Sequence, residues 1–541
     1  MNIKVFYIPA FTFKKIVVLL ITASILTFGT AQTKVSAQTV NLDPELLKQF
    51  NFVTEDGQVL VEVSMQALLT LALERATTID ILAIDREIAS ENYLAAKEMY
   101  NPSLSTSVGV QRSLTATGTN ISGSSSTSFL SLQAQDTSSL SATWSKKITN
   151  GISYSVGYTK ASSQTNTGEK VEEDDSFSGW DKSDDPLYSD QVTASVSIPI
   201  FQDWGDINNA PEYKSRIGLE TAGYQSQKTI LELLKLVAGI YWDLVGVEKN
   251  ILSLQASEAL SRQFVSDTKI KMELGVLDPI EVKQGESQLL TVQQSLLTEN
   301  FKKKQIEDQI KVALNLQDLP YGYRATEKMA QRKQNFDFDV LLKQVYENSQ
   351  DLALLQSQLK LNGIQLKEAH NKAKTDLDFS VEYQLYGYGK SVADAASSLG
   401  ESGYNDYQVG LTWNIPLFDK QTPKEIRQRN LENSKLLLQI SDLKAQLKVT
   451  LQSIIRNLKL AEQGIKLATT SVELAKDLLE KETEKFNLGN STSFRVSQVQ
   501  QDLTDAEKNK TISEVNYEKS YLELLIVTGK IFAEYSLPSV E

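Results

Sequence analysis

The sequence predicts a mixed α+β membrane protein built from two structural repeats. Three observations lead to this prediction: a short turn motif occurs twice, long helical heptad patterns flank each copy, and strand-like alternation precedes each long helix. The two copies of the motif begin at Leu274-Gly275 and at Leu488-Gly489. Leu, Gly, Val, Gln and a final Leu recur in both copies at one offset of 214 residues. A constant offset of this kind indicates internal duplication.

The first 37 residues have the features of a secretion signal. Lys14 and Lys15 precede an apolar run at residues 16–28, and Val35-Ser36-Ala37 provides small residues for cleavage. A second possible cut follows Ala31. The apolar run is too short for a comfortable transmembrane helix. Cleavage would remove four lysines and no acidic residue, so the formal charge would change from -13 to -17.

The composition narrows the classes of function that are possible. The chain contains no Cys and a single His, His370, which lies in a polar helical run and is expected to be solvated. Disulfides and thiolate metal sites are therefore excluded, and we expect no cofactor. The net acidity argues against nucleic acid as a partner. No cluster of acid, base and nucleophile is evident, so we do not expect an enzyme.

Corresponding helices are predicted at the start of the two repeats, at residues 64–100 and 337–374. After each helix, the hydrophobic period switches to two. In the second repeat, the apolar positions are Leu377, Phe379, Val381, Tyr383 and Leu385, and then Tyr407, Val409, Leu411, Trp413, Ile415 and Leu417. Alternation over about ten residues, with aromatic residues near the ends, is typical of strands in a transmembrane β-barrel. A soluble amphipathic sheet would give the same alternation.

Each repeat is predicted to contain one β-hairpin, at residues 104–200 and 377–417. The first is longer by 56 residues. The excess includes an extra hairpin at residues 140–158, which turns at Asn150-Gly151. We expect this hairpin to project outward; the alternative is that it adds two strands to the barrel. An acidic stretch at residues 169–190 is expected to be a solvated loop, because it lacks the spacing of a calcium-binding loop.

Two long helices are predicted next, at about residues 207–272 and 422–486. At 1.5 Å per residue, each spans roughly 100 Å. Their apolar residues recur in heptads, which is typical of coiled-coil packing. Shorter return helices are predicted at about residues 278–314 and 492–532. Each copy of the turn motif lies between a long helix and its return helix, so it forms the tip of a helical hairpin.

The residues of the motif explain why the chain turns there. Glycine supplies the backbone angles that a helix needs in order to stop. In the first tip, Asp278 is the expected N-cap, Pro279 is a favoured first residue and Glu281 is a capping-box acid. In the second tip, Thr492 takes the N-cap position.

This order of elements resembles the TolC family of outer-membrane efflux proteins. The resemblance covers nearly all of the chain after the signal: helix, hairpin, an Ile-Pro-x-Phe exit at residues 198–201 and 415–418, long helix, Leu-Gly tip and return helix, twice over. It implies a homotrimer in which four strands from each chain form a shared 12-stranded β-barrel in outer-membrane lipid. A coiled-coil α-helical barrel would continue it through the periplasm. The implied partners are a periplasmic adaptor protein and an inner-membrane pump.

The resemblance also implies a periplasmic aperture at the second tip. In this family the places six and nine residues after the second-tip Gly often hold acidic residues. Here they hold Arg495 and Gln498, and the first-repeat equivalents are Glu281 and Gln284. This departure argues against a strongly cation-selective aperture. We hypothesise that Arg495 pairs with Glu281 or another acid across the tips; the alternative is that Glu281 only caps its own helix and Arg495 is solvated.

The tips are also the implied docking surface for the adaptor protein. By resemblance, the residues concerned are Leu274, Gly275, Leu488 and Gly489. The same four residues also have a structural explanation, because they are turn and seam residues of the two helical hairpins.

The predicted organisation is a signal peptide at 1–37, a leader at 38–63, repeat 1 at 64–320, a linker at 321–336 and repeat 2 at 337–541. The predicted function is an outer-membrane channel of a tripartite efflux or type I secretion system. One alternative is a periplasmic coiled-coil scaffold with a small sheet. Another is a surface adhesin or structural barrel without export activity.

Overall fold

A computed structural model describes residues 51–55, 58–121, 128–171, 177, 179–182, 185–316, 322–327, 329, 337–401 and 403–538. The predicted signal peptide and the acidic quartet Glu172-Glu173-Asp174-Asp175 lie outside the described residues. The chain divides into one unit at Met1–Val53 and another at Thr54–Glu541. The second unit contains all the features discussed below.

The elements follow one another as a strand region and a helical region in each half of the chain. In chain order they are β1 Asn51–Glu55, β2 Gln58–Val63, α1 Met65–Arg75, α2 Thr77–Glu98, β3 Ser103–Ile121, β4 Ser128–Lys147, β5 Ser153–Val171, β6 Asp181–Lys182, β7 Leu187–Pro199, a 3-10 turn Asp206–Asn209, α3 Ala210–Glu273, α4 Pro279–Ala313, β8 Gly322–Ala325, α5 Phe338–Asn348, α6 Gln350–Lys372, β9 Asp376–Gly389, α7 Val392–Ser397, β10 Asn405–Asn414, α8 Gln421–Asn487, α9 Ser493–Val527 and α10 Ile531–Glu534. None of the described helices is both long and apolar enough to cross a membrane.

The first helix of each half is interrupted, where the sequence predicted a continuous helix. Ala76 separates α1 from α2, and Ser349 separates α5 from α6; both residues have extended backbone angles. The Ser349 hydroxyl accepts a hydrogen bond from the Leu352 amide at 3.3 Å and so caps the new helix. One extended residue is enough to redirect a helix without disturbing the apolar period, which explains why the pattern hides the break.

The main sheet is antiparallel and has the strand order β10-β9-β7-β5-β4-β3, with the short β6 paired to β5. The extra hairpin predicted in the first repeat is therefore not an outward projection. It forms β4 and β5, which pair with each other and join β3 to β7. The expectation of four strands per chain, on which a 12-stranded barrel depended, is wrong: six long strands are present among the described residues.

The turn between β4 and β5 lies where the sequence predicted it. Gly151 has a φ of +102°, which favours glycine. The Asn150 side chain accepts a hydrogen bond from the Ile152 amide at 3.2 Å. The two strands pair continuously over 19 residues on each side. An isolated hairpin is only marginally stable, because each of its strands has one unpaired edge. Pairing with β3 and β7 satisfies both edges.

The long helices have the expected bounds and the expected buried heptads. In α3, Ile230, Val237, Leu244 and Ile251 are seven residues apart and all are buried. Tyr241 and Trp242 are buried in α3, which contacts α1 and α9. Burial raises the pKa of Tyr241 to about 12, because the phenolate form would lose its hydration.

A small second sheet connects the predicted leader with the predicted linker. β2 pairs in parallel with β8, although the sequence showed no strong periodicity in either segment. Two amides of β8 donate hydrogen bonds to the neighbouring helices: Tyr323 N to Glu307 Oε1 at 3.1 Å, and Ala325 N to Glu248 Oε2 at 3.1 Å. Burial raises the pKa of Glu307 above its ordinary value. The sheet lies against α3 and α4 and far from the tips along the chain.

Candidate functional site

The candidate site is the pair of helical tips, whose backbone turns are nearly identical. Gly275 has a φ of +71° and Gly489 a φ of +75°. In the first tip, Gly275 N donates to Met272 O and Val276 N donates to Lys271 O, both at 2.9 Å. In the second tip, the amides of Gly489 and Asn490 make the two corresponding bonds to Phe486 and Lys485, at 3.1 and 2.9 Å. This pattern satisfies the last carbonyls of a helix and requires the left-handed glycine.

The return helices begin at the predicted N-caps. The Asp278 carboxylate accepts a hydrogen bond from the Ile280 amide at 3.0 Å. The Thr492 hydroxyl accepts one from the Arg495 amide at 3.3 Å. The sequence therefore identified correctly how each tip ends one helix and starts the next. The capping-box role for Glu281 is not observed, because its side chain turns to the other tip.

Glu281 binds the start of the second return helix. Its Oε2 accepts a hydrogen bond from Ser493 N at 2.6 Å and a second from the Ser493 hydroxyl. The Gln284 side-chain amide lies 3.0 Å from the same hydroxyl. Ser493 is fully buried. We call Glu281, Gln284 and Ser493 the tip latch, because they join α4 to α9.

The physical basis of the tip latch is the N-terminus of α9. The first amides of a helix have no partner within the helix, and they carry partial positive charge. A carboxylate in front of them both satisfies an amide and interacts favourably with that charge. A hydrogen bond to a charged group is also stronger than one between neutral groups. Glu281 supplies such a carboxylate from the opposite tip.

The predicted pairing of Glu281 with Arg495 is wrong. The Arg495 guanidinium is exposed and donates instead to Gln498 Oε1 on its own helix, at 3.0 Å. None of the ion pairs in the described part of the chain involves Arg495. The alternative, that Glu281 caps only its own helix, is also wrong, although Arg495 is exposed as that alternative expected. Glu281 lies nearer to the α9 amides than to the guanidinium, and the amides hold it.

A second contact joins the ends of the two long helices. The Phe486 ring is buried and its centroid lies 5.0 Å from that of Phe264. The Lys271 ammonium lies 4.9 Å from the centre of the Phe486 ring and 2.9 Å from Asn487 Oδ1. Aromatic and cation–π contacts of this geometry are attractive. Sequence reasoning did not single out Phe486 or Ser493. The only signals for them were that Phe486 lies at a heptad position and that Ser493 is the first residue of its helix.

Ionic contacts surround both tips. Glu286 bonds Lys269 on α3 and Lys283 on α4, each at 2.9 Å, and these contacts lower the pKa of its carboxyl. At the second tip, a hydrogen bond from the Ser491 hydroxyl at 2.5 Å lowers the pKa of Glu482. Each tip therefore holds one carboxylate in its charged form.

The outer ends of the tips are apolar and exposed. Leu274 is 74% exposed and Leu488 is 76% exposed, and Val276, Ile280 and Phe494 next to them are exposed too. Large apolar side chains clustered at an exposed turn indicate a surface that a partner covers. Within the described ranges, no three His, Asp or Glu side chains come close enough to hold a metal ion.

Comparison with known proteins finds a similar sequence and several similar folds. No model of a protein family matches the chain. The outer membrane protein TolC of Vibrio cholerae is 21% identical over 360 residues, which are 64% of this chain and 78% of that protein. The chain is therefore similar to a TolC protein over most of that protein's length.

Solved structures of outer-membrane proteins share the fold of this chain. VceC of Vibrio cholerae has a TM-score of 0.58 at 13% identity, over 86% of this chain and 96% of that one. The CmeC channel of Campylobacter jejuni has a TM-score of 0.57 at 14% identity, over 88% of this chain and 90% of that one. The likeness extends over nearly the whole of each relative, so both the sheet and the long helices belong to the shared fold.

Proposed function

We propose that the protein is a homotrimeric outer-membrane duct of a tripartite efflux or type I secretion system. It carries substrates from an inner-membrane pump and a periplasmic adaptor protein to the outside of the cell. Solved structures with this fold include outer-membrane channels, and in this proposal the energy for transport comes from the pump. The observation that carries the proposal is that a single chain leaves both its sheet edges and its helical seam without partners.

The sheet edges require a second copy of the chain. β3 and β10 form the two edges of the main sheet, and both strands are exposed along almost their whole described length. An unpaired strand edge presents free amide and carbonyl groups, which lipid cannot satisfy. Joining β10 of one subunit to β3 of the next removes every free edge when the subunits close into a ring.

The helical seam requires a neighbour as well. On α8, Leu460, Leu467 and Leu474 are seven residues apart and all are exposed in the single chain. A stripe of leucines at heptad spacing packs against a facing helix in coiled coils. Neighbouring subunits that supply such helices would form the coiled-coil α-helical barrel.

The tips form the closed periplasmic end of the duct in this proposal. Glu281 and Gln284 are held in the tip latch, whereas Arg495 and Gln498 are exposed and are available to line the aperture. Opening is a rigid-body movement of the α8–α9 hairpin away from the α3–α4 hairpin, and it breaks the bonds from Ser493 to Glu281. Arg495 and Gln498 move with the α8–α9 hairpin, so the moving part of the aperture is polar and carries one positive charge per subunit.

The exposed apolar ends of the tips bind the adaptor protein. Leu274 and Leu488 supply the apolar contact, and Gly275 and Gly489 let the partner approach the backbone, because no atom lies within 4 Å of the place where a Cβ would stand. The two tips present this surface twice in each subunit, so a trimer offers the adaptor six similar places.

The test is conductance in a planar bilayer with the purified mature protein, under a salt gradient that reports ion selectivity. A steady channel is expected, and Glu281→Ala should raise the fraction of time that it is open. The matched control is Arg495→Ala, which leaves the tip latch intact and should change selectivity rather than opening. Folded, inserted trimers that never conduct would contradict the proposal, and an unchanged open fraction in Glu281→Ala would contradict the role of the latch.

A further inference from the structure

We infer that each subunit contributes six strands to the wall of the outer-membrane barrel, so that the trimer forms an 18-stranded barrel with a wide exit. The inference rests on the proposed trimeric duct and concerns the size of the solutes that leave it. It depends on whether β4 and β5 belong to the barrel wall. Two observations assign them to it: the apolar outer face and the polar inner face.

One face of the sheet is apolar across all six strands. The register joins a single row of residues that runs from edge to edge: Leu104, Trp144, Val156, Ala194, Tyr383 and Tyr407. Every member is apolar or aromatic, and all are exposed or partly exposed in the single chain. A continuous apolar belt with aromatic residues is the lipid-facing surface of a barrel. A hairpin that projected into water would expose its part of this apolar belt to water.

The opposite face is polar across the same strands. The neighbouring row of the register is Ser103, Ser145, Ser155, Ser195, Glu382 and Gln408. Hydroxyl groups pair across the strands on this face, as between Ser107 and Ser141 at 2.7 Å. Lipid cannot hydrate such a surface, so it faces the water of the lumen. Because β4 and β5 carry both faces in register with their neighbours, they are wall strands.

The inner face differs in charge between the two halves of the chain. Glu382 on β9 and Asp406 on β10 place carboxylates on it. The rows of β3, β4, β5 and β7 that continue from these carboxylates consist of Ser, Thr and Gly. Lys147, at the end of β4, lies on the same face. The two added strands therefore enlarge the lumen mainly with hydroxyl groups and add no carboxylate in these rows.

Charged side chains appear on the outer face farther along the strands. Ion pairs join Arg112 with Asp136 at 2.6 Å and Lys160 with Asp190 at 3.0 Å on this face. Strands β3 to β5 are 19 or 20 residues long. At about 3.3 Å per residue they exceed a belt about 25 Å tall. They consequently cross the membrane in full and extend past it on the side away from the helices.

The direction of the strands allows the ring to close. β3 runs away from the helices and β10 runs back toward them. A second copy can therefore pair its β3 with β10 in the antiparallel arrangement that every other pair of the sheet has. Three chains of six strands give 18. Because barrel diameter grows roughly linearly with strand number, the lumen is about 1.5 times as wide as that of 12 strands and about twice its cross-section.

The first test uses the absence of cysteine, since an introduced pair is then the only pair. Val409→Cys on β10 is combined in turn with Leu104→Cys, Thr106→Cys and Val108→Cys on β3, which share its face. Oxidation of the full-length trimer is expected to give covalent dimers and trimers for at least one pairing. The matched control is Val409→Cys with Tyr158→Cys on β5, which should stay monomeric. Crosslinking through β5, or no crosslinking through β3, would overturn the inference.

The second test removes the two added strands. Deleting residues 128–171 joins β3 to β7 with the same faces outward and leaves four strands per subunit. Entry of polyethylene glycols from the outer side is measured in planar bilayers for both proteins. The largest polymer that enters the full-length protein is expected to be excluded from the deletion variant, and equal size limits would overturn the inference. If the variant does not fold, Val156→Cys with Ala194→Cys decides, because these residues are directly opposite on β5 and β7 only when β5 is a wall strand. A disulfide within the full-length chain is expected, and its absence would overturn the inference.

These outcomes separate the inference from the proposed function. Conducting trimers that crosslink through β5 would leave the duct intact and reject the 18-stranded wall. Trimers that crosslink through β3 and form the β5–β7 disulfide, but never conduct, would keep the wall and reject the duct.

Discussion

The two tips of the chain share one backbone and carry different side chains. Both stop a helix with a left-handed glycine, make the same pair of carbonyl bonds and start the next helix at a side-chain cap. At the offset of 214 residues, Met272, Pro279 and Glu281 correspond to Phe486, Ser493 and Arg495. The first tip supplies an acceptor, and the second supplies a donor and a buried ring.

The difference explains how two copies of one motif can hold each other. Two identical tips would present two carboxylates, or two hydroxyls, at equivalent places. Like charges repel, and a donor without an acceptor loses a hydrogen bond on burial. The second copy has Arg495 where the first has Glu281, and Ser493 where the first has Pro279. These two differences make the tips complementary. Duplication supplied the shared turn, and divergence of the side chains supplied the contact between the copies.

The largest expected effect comes from Phe486→Ala. The Phe486 ring is 3% exposed and packs on Phe264, and removal of a buried Phe side chain costs about 3–5 kcal/mol. We expect much faster hydrogen exchange at the tip amides. The control is Met272→Ala at the half-buried equivalent position, for which a smaller effect is expected. Equal effects at the two positions would mean that the tips do not differ in packing.

The next effect comes from Glu281→Ala, which leaves the buried hydroxyl and amide of Ser493 without their acceptor. An unsatisfied buried group costs about 1–3 kcal/mol, so the exchange rate of the Ser493 amide should rise roughly 5- to 150-fold. Glu281→Gln keeps an acceptor and should have a smaller effect. Arg495→Ala, at the equivalent place of the second tip, should change that rate little, because its side chain is exposed. A rate that responds equally to Arg495→Ala and Glu281→Ala would refute the asymmetry.

The third prediction concerns what the tips share. Gly275→Ala and Gly489→Ala each place a Cβ in a left-handed conformation, which costs about 1–2 kcal/mol. No atom lies within 4 Å of either added Cβ, so the cost is that of the backbone alone. We expect nearly equal losses of thermal stability in the two variants. Gly223→Ala, in the middle of α3 and equally free of contacts, should instead raise stability. Unequal tip variants would indicate that the two turns differ.

The smallest effect is a loosening of both tips in acid. Ion pairs and hydrogen bonds lower the pKa values of Glu286 and Glu482 in the folded protein. The stability that they contribute is therefore complete above the ordinary carboxyl pKa of about 4.3, and it is lost as the pH falls through the lower folded values. Hydrogen exchange at the tips, corrected for its intrinsic pH dependence, should show this loss. Glu286→Gln should abolish the acid-dependent change in exchange at the first tip and leave the change at the second tip as it is.

Much of the fold could be predicted because its determinants are local. Heptads fixed the bounds of α3 and α8 to within a few residues, and glycine with Asp278 or Thr492 fixed the tips. The alternation of residues in β9 and β10 fixed their two faces. The extended residues Ala76 and Ser349, and the parallel pair β2–β8, were not visible. A one-residue break does not disturb a period, and a parallel pair joins segments that are distant in sequence.

The candidate site was predicted in part. The turn motif predicts that Leu274 and Leu488 lie at the tips, and both side chains are exposed there. The partner of Glu281 could not be predicted, because charge alone favours Arg495. The folded chain brings the free amides of a helix end closer than the guanidinium, and Ser493 carries no sequence signal for that role.

The sequence by itself determined the two halves, the tips and the alternation of the strands, since each depends on residues within one or two turns of each other. Only the tertiary structure decided that β4 and β5 join the main sheet and that Glu281 crosses to Ser493. Both depend on which distant segments lie side by side. A hairpin with alternating residues has the same sequence pattern whether it lies in the wall or outside it. A carboxylate accepts a hydrogen bond from any nearby donor, so the folded chain decides which donor Glu281 meets.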